Sequence, residues 1–186
     1  MSHFFQSATR MMSYICLAFL ILAGVLYFAG ARFNLTPSIP VGLYWVTQKP
    51  IKKGEYVLFC PPQKSAFQEA LKRGYINSGW CEGGYGQMMK KVLATSGDMI
   101  SINSSGVWVN HYLLSFSAPL TQDGHGHKLP SINKAHYTLN PSQLLLMTDQ
   151  SALSFDARYF GLINQSQVLA VIRPVVTWKS IYHFNL

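Results

Sequence analysis

The sequence predicts a mainly β, antiparallel domain carried on one N-terminal transmembrane helix. Three observations lead there. An uncharged apolar block runs from Met11 to Gly30. Beyond it, short strand-like runs alternate with Gly, Pro, Asn and Ser clusters, and only one segment there has helical periodicity. The chain has 186 residues, 49% hydrophobic and only 12% charged, so it has room for one principal domain and a low charge density that the apolar block partly explains.

The block MMSYICLAFLILAGVLYFAG shows no polar stripe, so a buried globular helix does not account for it. About 20 residues at roughly 1.5 Å each span about 30 Å, the thickness of a bilayer core. Ala29-Gly30-Ala31 resembles a small-residue cleavage site, which makes a removable signal peptide the alternative. The run is longer than the roughly 7 to 15 residues usual in such a peptide, and a retained anchor is expected. Arg10 and Arg32 flank the block and leave the charge rule undecided. The short tail points to the orientation: residues 1–10 in the cytoplasm, 11–30 across the membrane and 31–186 in the periplasm.

After the anchor, NLTPSIPVGLYWV is expected to be extended, because Pro37 and Pro40 disfavour helix at the residues before them. Strands are expected at Leu43–Thr47, Tyr56–Cys60, Met88–Ala94, Met99–Asn103, Gly106–Asn110, Tyr137–Leu139, Leu144–Thr148 and Val168–Trp178, the last interrupted by Pro174. Ser65–Arg73 is the one helical segment, with Phe67, Ala70 and Leu71 on one face and Gly74 as its stop. Ser115–Lys134 is polar, rich in Gly, Pro and His, and reads as loop.

The net charge of +8 is scattered in ones and twos, which fits a domain near anionic lipid better than a nucleic-acid surface; no nucleic-acid partner is expected. Cys16 lies in the anchor. Cys60 and Cys81 are the only cysteines beyond it, a pair suited to one disulfide in an oxidising compartment, with two unpaired buried thiols as the alternative. His3, His111, His125, His127, His136 and His183 form no Ser-His-Asp arrangement, and no carboxylate or thiolate is expected near the His125/His127 pair. Neither metal nor cofactor is expected.

A lysine is the remaining way to activate a serine hydroxyl. Strand alternation sends Lys90 and Lys91 to opposite faces, so one of them can be buried and its pKa lowered. The plain alternative is two solvated lysines on an edge strand. Ser38 stands between two prolines, eight residues past the anchor, where a serine is also an ordinary linker residue.

NLTPSIPVGLY, KKVLATSGD and SFDARYFG, in that order, resemble the bacterial type I signal peptidases, and more closely the TraF-type processing peptidases of conjugative transfer systems. The resemblance implies a signal-peptidase-like β fold with its core in residues 34–102 and 137–178, and a less specified inserted region at 103–139. It implies Ser38 as nucleophile, Lys90 as general base, and Thr36 assisting the Ser38 backbone N–H in an oxyanion hole. Ser154 would orient the lysine, and Asp156 would pair with Arg158; their i,i+2 spacing would suit one face of a strand.

The chain departs from the general pattern in four places. Proline stands two residues after the nucleophile, as in the TraF type. Ser96 replaces a usual proline, and Thr148-Asp149-Gln150 and Ala157 replace Gly-Asp-Asn and serine. The implied function is a monomeric, membrane-anchored serine endopeptidase acting on a secreted or membrane precursor, a conjugative pilin first among them, with cleavage or cyclisation as product. A general signal peptidase and a non-catalytic assembly factor of a type IV secretion channel are the alternatives.

Overall fold

The computed structural model describes residues 2–178 and divides into two compact units, the first ending at Arg32 and the second beginning at Phe33. The first unit is the helix α1 (Ser2–Ala29), of 28 residues, followed by the first two residues of the strand Ala31–Asn34. Its stretch Phe5–Ala29 is long and apolar enough to cross a membrane, with mean hydropathy 2.2, and its large side chains from Met11 to Phe28 are exposed. The helix begins nine residues before the apolar block does. Its early polar residues are accommodated by bonding back to the helix: Thr9 Oγ1 donates to Gln6 O and Ser13 Oγ to Thr9 O. At its C-terminal end the chain turns at Gly30 with φ 112°, and the Arg32 guanidinium lies 4.0 Å over the Tyr27 ring while donating to Tyr27 O. A cation is thereby held at the negative end of the helix dipole.

The second unit is built on antiparallel sheets. In chain order the elements are β1 (Ala31–Asn34), β2 (Val41–Thr47), β3 (Tyr56–Phe59), α2 (Ser65–Lys72), β4 (Met88–Ala94), β5 (Met99–Asn103), β6 (Gly106–Val109), β7 (Tyr112–Leu113), β8 (Lys134–Thr138), β9 (Gln143–Met147), α3 (Ala157–Phe160), β10 (Ile163–Asn164) and β11 (Val168–Trp178). The larger sheet has the order β1-β2-β11-β3-β4-β9-β10, and the smaller one β7-β6-β5-β8. The small sheet takes in β5, from Met99, and pairs it with β8, which ends at Thr138.

Alternation along β3 sends Val57 and Phe59 into the main core and Leu58 into a second cluster with Ile39, Tyr44 and Ile172 on the opposite face. That second cluster fixes Ile39, the residue after Ser38. In the main core Phe67 of α2 stacks on Phe160 of α3 at 4.8 Å and meets Phe155 edge-on at 6.0 Å, which holds the 154–160 segment against α2. Pro174 does not end β11. The register with β2 shifts between Pro174 and Val176, a bulge that absorbs the missing N–H. Opposite it, a Cβ on Gly42 would lie 2.1 Å from Val176 O, so only glycine fits β2 there.

Residues 35–40 are a turn between β1 and β2, not the extended segment that the two prolines suggest. Cys60 and Cys81 form a disulfide with Cα atoms 5.5 Å apart, closing a covalent loop around α2. In the chain-entropy view a loop of this size stabilises by about 3 kcal/mol. A Cys60→Ser/Cys81→Ser protein is therefore expected to lose about that much in denaturant unfolding at unchanged secondary structure, and non-reduced peptide mapping of the parent is expected to recover the linked pair. Equal unfolding midpoints with and without reductant would contradict it.

Candidate active site

The turn that carries Ser38 is organised from one buried side chain. Asn34, 4% exposed at the end of β1, donates through Nδ2 to the carbonyls of Thr36 (2.7 Å), Ile39 (3.0 Å) and Pro40 (3.1 Å). Its Oδ1 accepts from Thr36 N (3.2 Å) and Thr36 Oγ1 (3.0 Å). Thr36 Oγ1 in turn lies 3.1 Å from Ser38 Oγ, and the Tyr44 hydroxyl donates to Pro40 O from the far side. Sequence reading did not single out Asn34. The signal for it was an Asn followed two residues later by Thr at the mouth of a turn, an Asx-turn pattern.

Lys90 lies on β4 opposite Val57, facing the main core, and is 4% exposed; Lys91 lies opposite Tyr56 on the other face. The two lysines therefore diverge as alternation requires. Lys91 pairs with Asp149 at 2.5 Å in a half-exposed setting, whereas Lys90 donates to Ser154 Oγ at 2.7 Å. Burial pushes the Lys90 amine down to about 8, opposed by the Asp156 carboxylate and assisted by the Arg158 guanidinium. Among the described hydrogen bonds, Lys90 joins Ser154 and Ser38 joins Thr36; the lysine and the Ser38 hydroxyl are not bonded to each other.

Asp156 and Arg158 are both fully buried and pair in a fork, Nε to Oδ1 at 2.8 Å and Nη2 to Oδ2 at 2.9 Å. They do so from a helix start rather than from a strand: Asp156 is the N-cap of α3 and accepts from Arg158 N. The remaining Arg158 donors reach the carbonyls of Phe116 (2.8 Å), Ala152 (3.0 Å) and Ser154 (3.0 Å). One guanidinium thus ties Phe116 to the backbone of the lysine's partner. The Thr148-Asp149-Gln150 departure is accommodated, because the buried Thr148 hydroxyl accepts from Gln150 N and Asp149 faces Lys91.

Against the expectation for the histidine pair, a carboxylate does stand beside it: Asp123, two residues before His125, takes it up. It accepts from the Tyr75 hydroxyl, from the backbone N–H groups of His125 and His127, and meets His127 Nδ1 at 2.9 Å. Burial acts to raise this carboxyl, and those hydrogen bonds outweigh it and hold it below the usual carboxylate range. His183 lies outside the described residues.

Residues 5–178 match the family described as signal peptidase, peptidase S26. The chain is 56% identical to the Plasmid transfer protein TraF of Escherichia coli over 161 residues, 87% of this chain and 90% of that protein. It is 51% identical to a second Escherichia coli protein of the same name, over 94% of this chain and 98% of that one. It is also 32% identical to the Conjugal transfer protein TraF of Agrobacterium fabrum over 93% and 99% of the two chains. A solved signal peptidase I of Enterococcus faecalis aligns with a TM-score of 0.39 and 14% identity over 67% of this chain and 98% of that one.

Proposed function

Because the chain belongs to the signal peptidase family, peptidase S26, we propose that it is a membrane-anchored serine endopeptidase with Ser38 as nucleophile and Lys90 as general base. The observation that carries this reading is Lys90 itself. A lysine that is 4% exposed, with one hydroxyl partner and an amine lowered to about 8, is costly to the fold and suited to act as a base beside a serine. In the reaction Lys90, held by Ser154, takes the Ser38 proton as Ser38 Oγ attacks the scissile carbonyl; the protonated Lys90 then gives it to the leaving amine as the peptide C–N bond breaks, and an acyl-enzyme remains. The Ser38 backbone N–H and the Thr36 hydroxyl stabilise the developing oxyanion, a donor of this kind being worth about 3 to 4 kcal/mol.

The relatives named for plasmid and conjugal transfer support a precursor from a conjugative apparatus, a pilin subunit, as substrate. The disulfide supports an oxidising compartment, and α1 a retained anchor with the second unit in the periplasm. The acyl-enzyme is released by water, giving a linear pilin, or by the pilin's own terminal amine, giving a ring. Coexpression with a pilin precursor and intact-mass analysis tests both levels. The expected result is a shortened product from the parent chain and unprocessed precursor with Ser38→Ala. A product one water lighter than the linear chain, with no free amino terminus, identifies ring closure. Processing that persists in Ser38→Ala would overturn the proposal.

A further inference from the structure

We propose that Asn34 is a positioning residue for the nucleophile, setting both the backbone of the Ser38 turn and the direction in which the Thr36 and Ser38 hydroxyl protons point. The inference rests on the reading of Ser38 as nucleophile. The Asn34 amide has one orientation consistent with its surroundings. Three carbonyl oxygens at 2.7, 3.0 and 3.1 Å need a donor, and the Thr36 N–H needs an acceptor, so Nδ2 and Oδ1 cannot exchange places. Oδ1 carries no hydrogen, so the Thr36 hydroxyl donates to it at 3.0 Å. Thr36 has only one hydroxyl hydrogen. In the 3.1 Å contact between the two hydroxyls, Ser38 is therefore the donor.

Two consequences follow. The resting Ser38 proton points at Thr36 rather than at a base, and the Thr36 proton is held by Asn34 rather than free for an oxyanion. The site rests in a closed hydroxyl chain, Ser38 to Thr36 to Asn34, matched by Lys90 resting on Ser154. Substrate entry has to rotate both hydroxyls, and Asn34 keeps the Ser38 oxygen in place while they do, because Ile39 and Pro40, which follow the nucleophile, hang on the same amide.

Asn34→Asp keeps the shape of the side chain but presents an oxygen, with nothing to donate, to three carbonyls. Using full-length enzyme in detergent micelles and the pilin precursor that the parent processes, Asn34→Asp is expected to lower kcat about 100-fold. KM is expected to stay within about twofold. Thr36→Val gives a second route that leaves the amide's three carbonyl contacts in place. It too is expected to lower kcat at unchanged KM, and the double variant is expected to lose little more than the worse single one, because the two act in one chain. The alkaline rise in rate belonging to Lys90 is expected to keep its midpoint in Thr36→Val, which adds no charge to the site. Parent-like kcat in Asn34→Asp, or losses that multiply in the double variant, would overturn the inference. If Asn34→Asp fails to fold, parent-like kcat in Thr36→Val overturns it. Activity remaining in Ser38→Ala would instead remove the reading on which it rests.

Discussion

Replacing Lys90 by Met is expected to abolish processing, by about 10⁴-fold or more in kcat, while making the second unit more stable at pH 7. The opposite signs have one cause. The amine sits at about 8 in the fold against 10.5 when free, so folding opposes its charged form. Below pH 8 it is protonated in both folded and unfolded chains, and the difference acts in full as a destabilisation of about 3 kcal/mol. Between pH 8 and 10.5 the unfolded chain holds the proton and the folded one does not, so stability rises with pH in that window. Lys90→Met removes the penalty and leaves the Ser154 hydroxyl unpaired, an offset of about 1 kcal/mol, for a net gain near 2 kcal/mol. Urea unfolding at pH 7 and again near pH 10 is expected to show the parent gaining on the variant as pH rises. The parent's rate is expected to climb through a midpoint near 8, with about a tenth of the lysine neutral at pH 7. Processing by Lys90→Met, or a rate that is flat across that range, would refute the role.

Asp156→Ala is expected to be the most destabilising single change near the site, by about 3 to 5 kcal/mol, because it strands a fully buried guanidinium. Arg158→Met strands the carboxylate instead and releases the carbonyls of Phe116, Ala152 and Ser154. Removing both partners is expected to cost much less than the sum of the single losses, which a double-mutant cycle in denaturant measures. The pair also acts on Lys90 with opposite signs, Asp156 upward and Arg158 downward. The milder Asp156→Asn is thus expected to move the midpoint of the rate profile to lower pH, with the Ser154 contact kept. An additive cycle, or a midpoint that rises in Asp156→Asn, would count against this account.

The strands that place the site were legible because their signals are local. Met88–Ala94 and Val168–Trp178 stand where alternation and apolar content put them, and the divergence of Lys90 from Lys91 follows from period two alone. The Lys90–Ser154 contact joins residues 64 positions apart and has no local signature; the family resemblance supplied the candidates, and the fold brought them together. The misread at Asp156–Arg158 was one of period. An i,i+2 pair suits a strand, yet Asp before Ala-Arg-Tyr-Phe and a following Gly161 is also the start and stop of one helical turn, and packing of Phe160 on Phe67 selects the turn. Around Ser38 the proline rule constrains only the residues before each proline. Three carbonyls converging on one amide bend the rest.

The disulfide around α2 also bears on quality control. The cross-link forms only where thiols are oxidised, so on the periplasmic reading proposed above a copy inserted the wrong way round, with its second unit among cytoplasmic reductants, would keep Cys60 and Cys81 as thiols. Such a copy would open α2 and its loop more often, by the factor that about 3 kcal/mol represents, roughly 150-fold in population. Proteases that survey opened chains would meet the misdirected copies first. On that reading the cross-link would tie the lifetime of each molecule to the side of the membrane it reached.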